Sequence, residues 1–443
     1  MENLRVHRSW SQAALASTLV LLAGSCSVFG SGSPPAAALK IGVDLPLSGA
    51  EGRAAAPALN GIRLYVRQHP TIGGFAVILV AKDDSVGGTP EPPLGAANVR
   101  SFADDPTVLG VIGPFDSSLA RAEIPVANQA WLAMVSPATS SPCLTRDQYL
   151  PAALNPTRIP ISCKDAGLPS AKELRPLGAN NYFRLSTTDD LQGPAAADYA
   201  YNSLHLLRVA TISDHEPYGQ ALAGSFVTRF RSLGGSIVGR LDLDPKASVD
   251  TLAFLKRMKA DGAQAVYFGG TTANGGCAIR SEMDTVFGPG EAAPYLGGDG
   301  LAEDPACILA AGTAATGIFA TVPGADATLL PSAAQFVAAF KAAYPNPAEY
   351  SPYSAIAFDA TAVLYDALGR AIKAAGGGLP PRVGVISQLA STRAFAGATG
   401  TFGFDLAGDS TRRIISIFES QGLDPRASWK DVGTIDYTLA LPY

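Results

Sequence analysis

A strand-then-helix alternation runs along this chain, breaks at a proline-rich stretch and starts again; no other feature limits the fold as strongly. Residues 41–43 read as strand and 61–68 as helix. Strand follows over 75–81, helix over 96–104, strand over 108–112, helix over 120–129 and strand over 132–135. Short β-branched runs alternating with Ala/Leu-rich amphipathic stretches specify a parallel sheet covered by helices on both faces. After the insertion 141–177 the rhythm resumes with strand 182–185, helix 195–203, strand 208–213 and helix 219–233. Strand 236–241, helix 249–260 and strand 265–269 complete it. The expected fold is therefore α/β, with two doubly wound parallel-sheet lobes. The 443 residues, 47% hydrophobic and 16% charged, suffice for two or three cores.

In such sheets ligands bind beyond the carboxyl ends of the strands. The loops there are 44–54, 113–118, 136–140, 214–219, 269–273 and 298–300, all rich in Gly, Ser, Thr and Asp. They offer backbone N–H groups and hydroxyls, which suit a small polar or anionic ligand at helix N-termini. Helix capping and turn chemistry account for any one of these loops alone. Their recurrence at equivalent positions singles out a site.

The N-terminal segment addresses location. Arg5, His7 and Arg8 form a short basic region, and 13–24 is an apolar run too short to span a bilayer. Leu22-Ala23-Gly24-Ser25-Cys26 looks like a bacterial lipobox, with Cys26 as the lipidated residue. Residues 1–25 are then a signal peptide and 26–38 a lipid-anchored flexible tether. The expectation is an extracytoplasmic, cell-membrane lipoprotein; a cleaved, freely secreted protein is the alternative. The apolar stretch 307–322 is interrupted by Gly312, Thr313, Thr316 and Gly317, and reads as helix-to-strand rather than a membrane span.

Four cysteines remain beyond Cys26: Cys143, Cys163, Cys277 and Cys307. An even number in an exported chain suggests disulfides, with three connectivities open. The local pairs Cys143–Cys163 and Cys277–Cys307 are the economical choice. The cysteine spacings do not resemble a zinc site and the histidines are scattered, so no metal is expected. A net charge of −5 without a long basic run gives no footprint for nucleic acid. No nucleophile elbow, metalloprotease, P-loop or dinucleotide motif occurs, which argues against an enzyme. His215 reads as a solvated loop histidine. Asp83-Asp84 and Asp189-Asp190 read as strand-end or capping residues.

Several motifs, in order and spacing, resemble one family. Ile41-Gly42-Val43-Asp44-Leu45-Pro46-Leu47-Ser48-Gly49 is similar to the opening strand and loop of the branched-chain amino-acid (Leu/Ile/Val) binding proteins of ABC importers, which share the type I periplasmic binding fold. Val111 to Ser118 resembles their second ligand loop, and Val135-Ser136-Pro137-Ala138-Thr139-Ser140-Ser141-Pro142 a further one. Asn181-Tyr182-Phe183-Arg184, Gln192-Gly193-Pro194 and Tyr218-Gly219 resemble the crossing into the second lobe and a helix start within it. The resemblance covers residues 39–420.

It implies a three-strand hinge, with crossings near 186–189, 322–324 and 408–411. Lobe 1 would be 39–186 plus 324–410, and lobe 2 would be 187–323 plus 411–443. It implies that Ser117, Ala138 and Ser140 receive a ligand carboxylate, that Tyr218 forms an aromatic wall and that Asp299 pairs with an ammonium. Thr271 stands where the family has an aromatic, and small residues around Ala54 replace another, which enlarges the site. Asp299 is one methylene shorter than the family's Glu. The function implied is a solute-binding lipoprotein, monomeric and without cofactor. It would deliver an amino acid or similar small polar ligand to an ABC permease by two-lobe closure. A ligand-sensing receptor module is the alternative.

Overall fold

The computed structural model of the chain describes residues 38–150, 161–165, 167–244, 246–247, 249–289, 292–302, 304–423 and 429–438. The expected signal peptide, Cys26 and the tether up to residue 37 lie outside these residues. Strand β1 (Ala38–Leu45) is buried along most of its length, as a central parallel strand flanked by helices must be. Next come α1 (Gly49–Gln68), β2 (Thr71–Ile72), β3 (Phe75–Asp83), α2 (Pro92–Asp104), β4 (Val108–Ile112), α3 (Ser117–Gln129), β5 (Ala133–Ser136) and β6 (Tyr182–Arg184). These strands form a six-stranded sheet in the order β6-β5-β4-β1-β3-β2, parallel except for β2.

The chain then builds a second layer from α4 (Asp189–Asp198), β7 (Arg208–Ser213), α5 (Pro217–Ser232), β8 (Ser236–Asp242), α6 (Thr251–Ala260) and β9 (Ala265–Gly269). It continues through α7 (Gly276–Phe287), β10 (Tyr295–Gly297), α8 (Pro305–Ala311) and β11 (Ile318–Val322). Helices α9 (Ala334–Ala343), α10 (Pro352–Ala374) and α11 (Arg382–Ala390) return to the first sheet, where α10 lies along α1. A Cβ at Gly61 of α1 would stand 2.1 Å from the Ser354 carbonyl oxygen, so glycine there sets how closely the two helices approach. Strands β12 (Ile414–Ser420) and β13 (Trp429–Asp436) complete a second sheet in the order β8-β7-β9-β10-β11-β12-β13.

Purely parallel sheets were the expectation, and both sheets are mixed. Strands β12 and β13 are antiparallel to their neighbours. They follow one another too closely for the crossover of a dozen or more residues that parallel pairing needs.

Apolar side chains fill both faces of each sheet. Ile41, Val43 and Ile62 pack with Val363 and Leu368 on one face of the first sheet, and Val99, Phe102, Ile124 and Met134 on the other. In the second, Phe226 stacks on Tyr267 at 4.0 Å, while Phe254, Met258 and Met283 cover the opposite face. Both local disulfides are present: Cys143–Cys163, and Cys277–Cys307 joining α7 to α8.

Helix starts lie earlier than the periodicity suggests. Helix α1 begins at Gly49, inside the expected loop 44–54, with Ser48 extended at the N-cap and Glu51 in the first turn. Helix α3 begins at Ser117 and α4 at Asp189 rather than near 195. First turns favour capping residues, proline and acids over apolar periodicity, because N–H groups and the positive dipole end are exposed there. The helix expected through residue 203 widens after Asp198 into a looser five-residue turn.

The chain passes between the sheets three times. Thr187 donates its N–H to the Pro323 carbonyl (3.1 Å) and its hydroxyl to that of Ile414 (2.8 Å). The Ser416 N–H reaches the Gly324 carbonyl at 3.2 Å. Beside these passes Arg184 and Asp409, 0% and 3% exposed, form an ion pair at 2.7 Å. Arg146 adds bonds to Asp409 (2.8 Å) and Asp405 (2.9 Å). Burial pushes the Asp409 carboxyl up, but Arg184 and Arg146 outweigh it and hold the pKa below the ordinary value.

Candidate functional site

The loops at the carboxyl ends of both sheets meet on one carboxylate. Asp299, just after β10, accepts at Oδ1 from the Tyr218 hydroxyl and from Gln192 Nε2, each at 2.7 Å. Its Oδ2 accepts from the Tyr353 hydroxyl. Tyr218 starts α5 and Gln192 belongs to α4, both on the second sheet, whereas Tyr353 lies in the first turn of α10, on the first. The Phe115 ring meets Tyr353 edge-on at 5.0 Å. A Cβ at Gly298 would stand 2.7 Å from the Tyr218 hydroxyl, so glycine there is what lets Asp299 reach that tyrosine.

The remaining candidate residues lie around this junction. Ser117, at the start of α3, accepts the Ser141 N–H at Oγ (3.2 Å). The Ser140 carbonyl accepts the Asp189 N–H (2.9 Å), tying the loop after β5 to the start of α4. Arg184 donates to the Thr139 and Ser141 carbonyls of the same loop, which links it to the Asp409 cluster. Ala138 is buried, and its N–H donates to Ser136 Oγ (3.2 Å) rather than facing outward. Thr271 donates its N–H to Asp214 (3.2 Å) and packs beside Gly300, the residue after Asp299. His215 is exposed and pairs with Asp242.

Sequence reasoning missed Tyr353, Gln192, Asp189, Asp116 and Glu51 as members of this neighbourhood. Gln192 and Asp116 stood in motifs already singled out, and Glu51 in the loop 44–54; for Tyr353, remote in sequence, no local signal existed. Asp189 is 1% exposed and neither of its carboxylate oxygens has a hydrogen-bond partner. Burial first, then the Asp299 charge, raise its pKa to about 8, while the nearby Ser140 hydroxyl and Arg184 favour ionisation. Asp116, with Oδ2 buried and unpartnered, is pushed to about 8 by burial and by Glu51 and Asp299. Glu51 rises to about 7 through burial and the charges of Asp304 and Asp214. Among the described residues, no three His, Cys, Asp or Glu side chains are arranged to hold a metal ion.

Behind these loops lies a second set of acids, Asp44, Asp84 and Glu123, all 0% exposed. Asn98 donates to Asp44 Oδ1 at 2.9 Å, but both oxygens of Asp84 and of Glu123 have no hydrogen-bond partner. Burial, then neighbouring carboxylates, raise Asp84 to about 9 and Glu123 well above its ordinary value. Burial, offset in part by Asn98, raises Asp44 to about 7.

A groove of about 540 Å³ lies at the opposite strand ends, bordered by Leu109, Trp131, Arg382 and Val383. The Arg382 guanidinium there is occupied by backbone carbonyls and, Asp104 apart, the other lining residues are apolar, which makes it a weaker candidate than the Asp299 junction.

A family model described as periplasmic binding protein matches residues 38–421. An amino acid binding protein from Pseudomonas aeruginosa is 26% identical over 354 residues, 79% of this chain and 84% of the relative. A Leu/Ile/Val-binding protein homolog 2 from Brucella abortus is 25% identical over 404 residues, 89% and 93% of the two chains. Among solved structures, a leucine binding protein from Thermotoga maritima superposes with a TM-score of 0.70 at 25% identity, covering 90% of this chain and 98% of its own. A solute binding protein from R. palustris, in complex with 4-hydroxybenzoate, also reaches 0.70, covering 90% and 97%, but at 17% identity it shows the fold alone.

Proposed function

Because the chain belongs to the periplasmic binding protein family, we propose that it is an extracytoplasmic solute-binding lipoprotein. It takes an amino acid or similar small polar ligand between two lobes and delivers it to an ABC permease. The lobes are 39–186 plus 324–410 and 187–323 plus 411–443, and they close about the three connections between the sheets. The relatives named for amino acid, Leu/Ile/Val and leucine binding support the ligand class.

The observation that carries this reading is the convergence of side chains from both sheets on Asp299, beside the Ser117-Ser118 start of α3. A zwitterion needs opposite charges at its two ends. Ser117, Ser140 and helix-start N–H groups take the carboxylate, and Asp299 takes the ammonium. A carboxylate has about four acceptor positions, and the chain's own donors use three on Asp299, leaving room for one more at Oδ2. Ala138 would contribute shape, its N–H being engaged, and Thr271 and Tyr218 would line the walls.

Calorimetric titration of the purified chain with a panel of amino acids tests the reading. Asp299→Ala is expected to abolish binding, since a desolvated ammonium would lose its partner. Ser117→Ala is expected to weaken it by about 1–3 kcal/mol. Wild-type affinity in Asp299→Ala would refute an amino acid held this way. Mass spectrometry of the mature N-terminus tests the anchor; an unmodified terminus beyond Cys26 would exclude it.

A further inference from the structure

Carboxylates edge the junction of the two sheets from both sides. Glu51 and Asp116 come from the first sheet's loops, and Asp189, Asp214, Asp299 and Asp304 from the second's. Asp214 accepts bonds from the Thr271 and Glu216 N–H groups and Asn274, and Asp304 caps α8; these two hold local structure. Asp299 is bound by Tyr218, Gln192 and Tyr353. Asp189, in the first turn of α4, is 1% exposed, and its carboxylate oxygens have no hydrogen-bond partner within bonding geometry, with the Ser140 hydroxyl and the Asp299 charge nearby. Asp116 buries an unpartnered Oδ2 between the charges of Glu51 and Asp299.

The charge of Arg53 acts on Asp304, that of Glu216 on Arg121 of α3, and Arg184, near Asp189, is hydrogen-bonded to Asp409. A buried carboxylate without a partner is costly. Besides burial, the charges of Asp304 and Asp214 of the second sheet act on Glu51 of the first, so these acids are costly to hold together without a positive group.

We propose that the ligand is an α-amino acid whose side chain ends in a second cationic group, an ammonium or a guanidinium. This rests on the solute-binding reading above. The α-ammonium lies between Asp299 and Asp189, and the distal cation between Asp116 and Glu51. Short side chains at Ala54 and Thr271 would suit the longer ligand side chain. A leucine-like side chain would instead press methyl groups against Glu51 and Asp116. An aromatic acid without an ammonium would add a further negative charge to the cleft.

The test is calorimetry on the full-length chain with L-lysine, L-ornithine and L-arginine against L-norleucine, which lacks the terminal charge. At least one cationic amino acid is expected to bind about a hundredfold or more tighter than norleucine. Glu51→Gln and Asp189→Asn, checked for folding by circular dichroism, are each expected to cut that ratio roughly tenfold or more. Norleucine or leucine binding as tightly as every cationic amino acid, or a ratio that Glu51→Gln leaves unmoved, would overturn the charge assignment while leaving the solute-binding reading intact. A folded chain that binds no amino acid of either kind would overturn the amino-acid ligand class as well as the charge assignment.

Discussion

Two buried clusters of charge in this molecule respond to burial in opposite ways. Beside the connections between the sheets, Asp409 accepts bonds from two guanidinium groups, those of Arg184 and Arg146, and its pKa falls. Behind the strand-end loops of the first sheet, Asp84 and Glu123 are equally buried but lie near other carboxylates, and their pKa values climb. Partners, not depth, set the sign. The stability that Asp409 contributes is present above the ordinary carboxylate pKa and lost as pH falls through its lowered value. The inner acids behave in reverse. Their contribution is complete below the ordinary carboxylate pKa and lost as pH rises toward about 9, where Asp84 titrates.

Removal of a cation from the paired cluster has the largest expected effect. Arg184→Met leaves Asp409 with Arg146 alone, and is expected to cost about 3–5 kcal/mol in urea denaturation. A loss under about 1 kcal/mol would mean that pairing is not what makes Asp409 tolerable there. The Cys143–Cys163 bridge sharpens the same point, because it braces the segment that carries Thr145 and Arg146. Replacing both cysteines with serine is expected to cost about 3 kcal/mol for a loop of this length. Differential scanning calorimetry should show the loss, and unchanged melting would exclude a bracing role.

The smallest expected effect lies in the unpaired cluster. The melting temperature of the wild-type chain should fall between about pH 5 and 9, because the folded state keeps protons that the unfolded state releases. Asp84→Asn should flatten that decline and gain at least about 1.4 kcal/mol at pH 8, the free energy of one pKa unit. A profile equally steep in wild type and variant would show that Asp84 is not among the groups holding those protons.

Much of the architecture was legible because parallel strands buried on both faces have a plain signature. The runs at Val108–Ile112, Arg208–Ser213 and Ala265–Gly269 are strands with the bounds their apolar content suggests. Helix starts were not legible, since Ser48, Ser117 and Asp189 are equally good loop residues. Only the hydrogen-bonded turn that follows distinguishes a cap from a bend. In the site, Tyr218 and Asp299 could be singled out because each sits in a strand-end motif. Tyr353 could not, because α10 reaches Asp299 only by folding back across the first sheet.

The α/β alternation, its restart after the insertion and the family are already written in the order of the residues. These follow from side-chain periodicity and local turn chemistry, which act over a few residues. Only the tertiary structure decided that β12 and β13 run antiparallel to complete the second sheet, and which acid found a cation. Asp409 meets Arg184 across a separation of 225 residues, while Glu123 meets Asp44 and Asp84. Electrostatic free energy depends on distance in space and on exclusion of water, and neither can be read from neighbours along the chain.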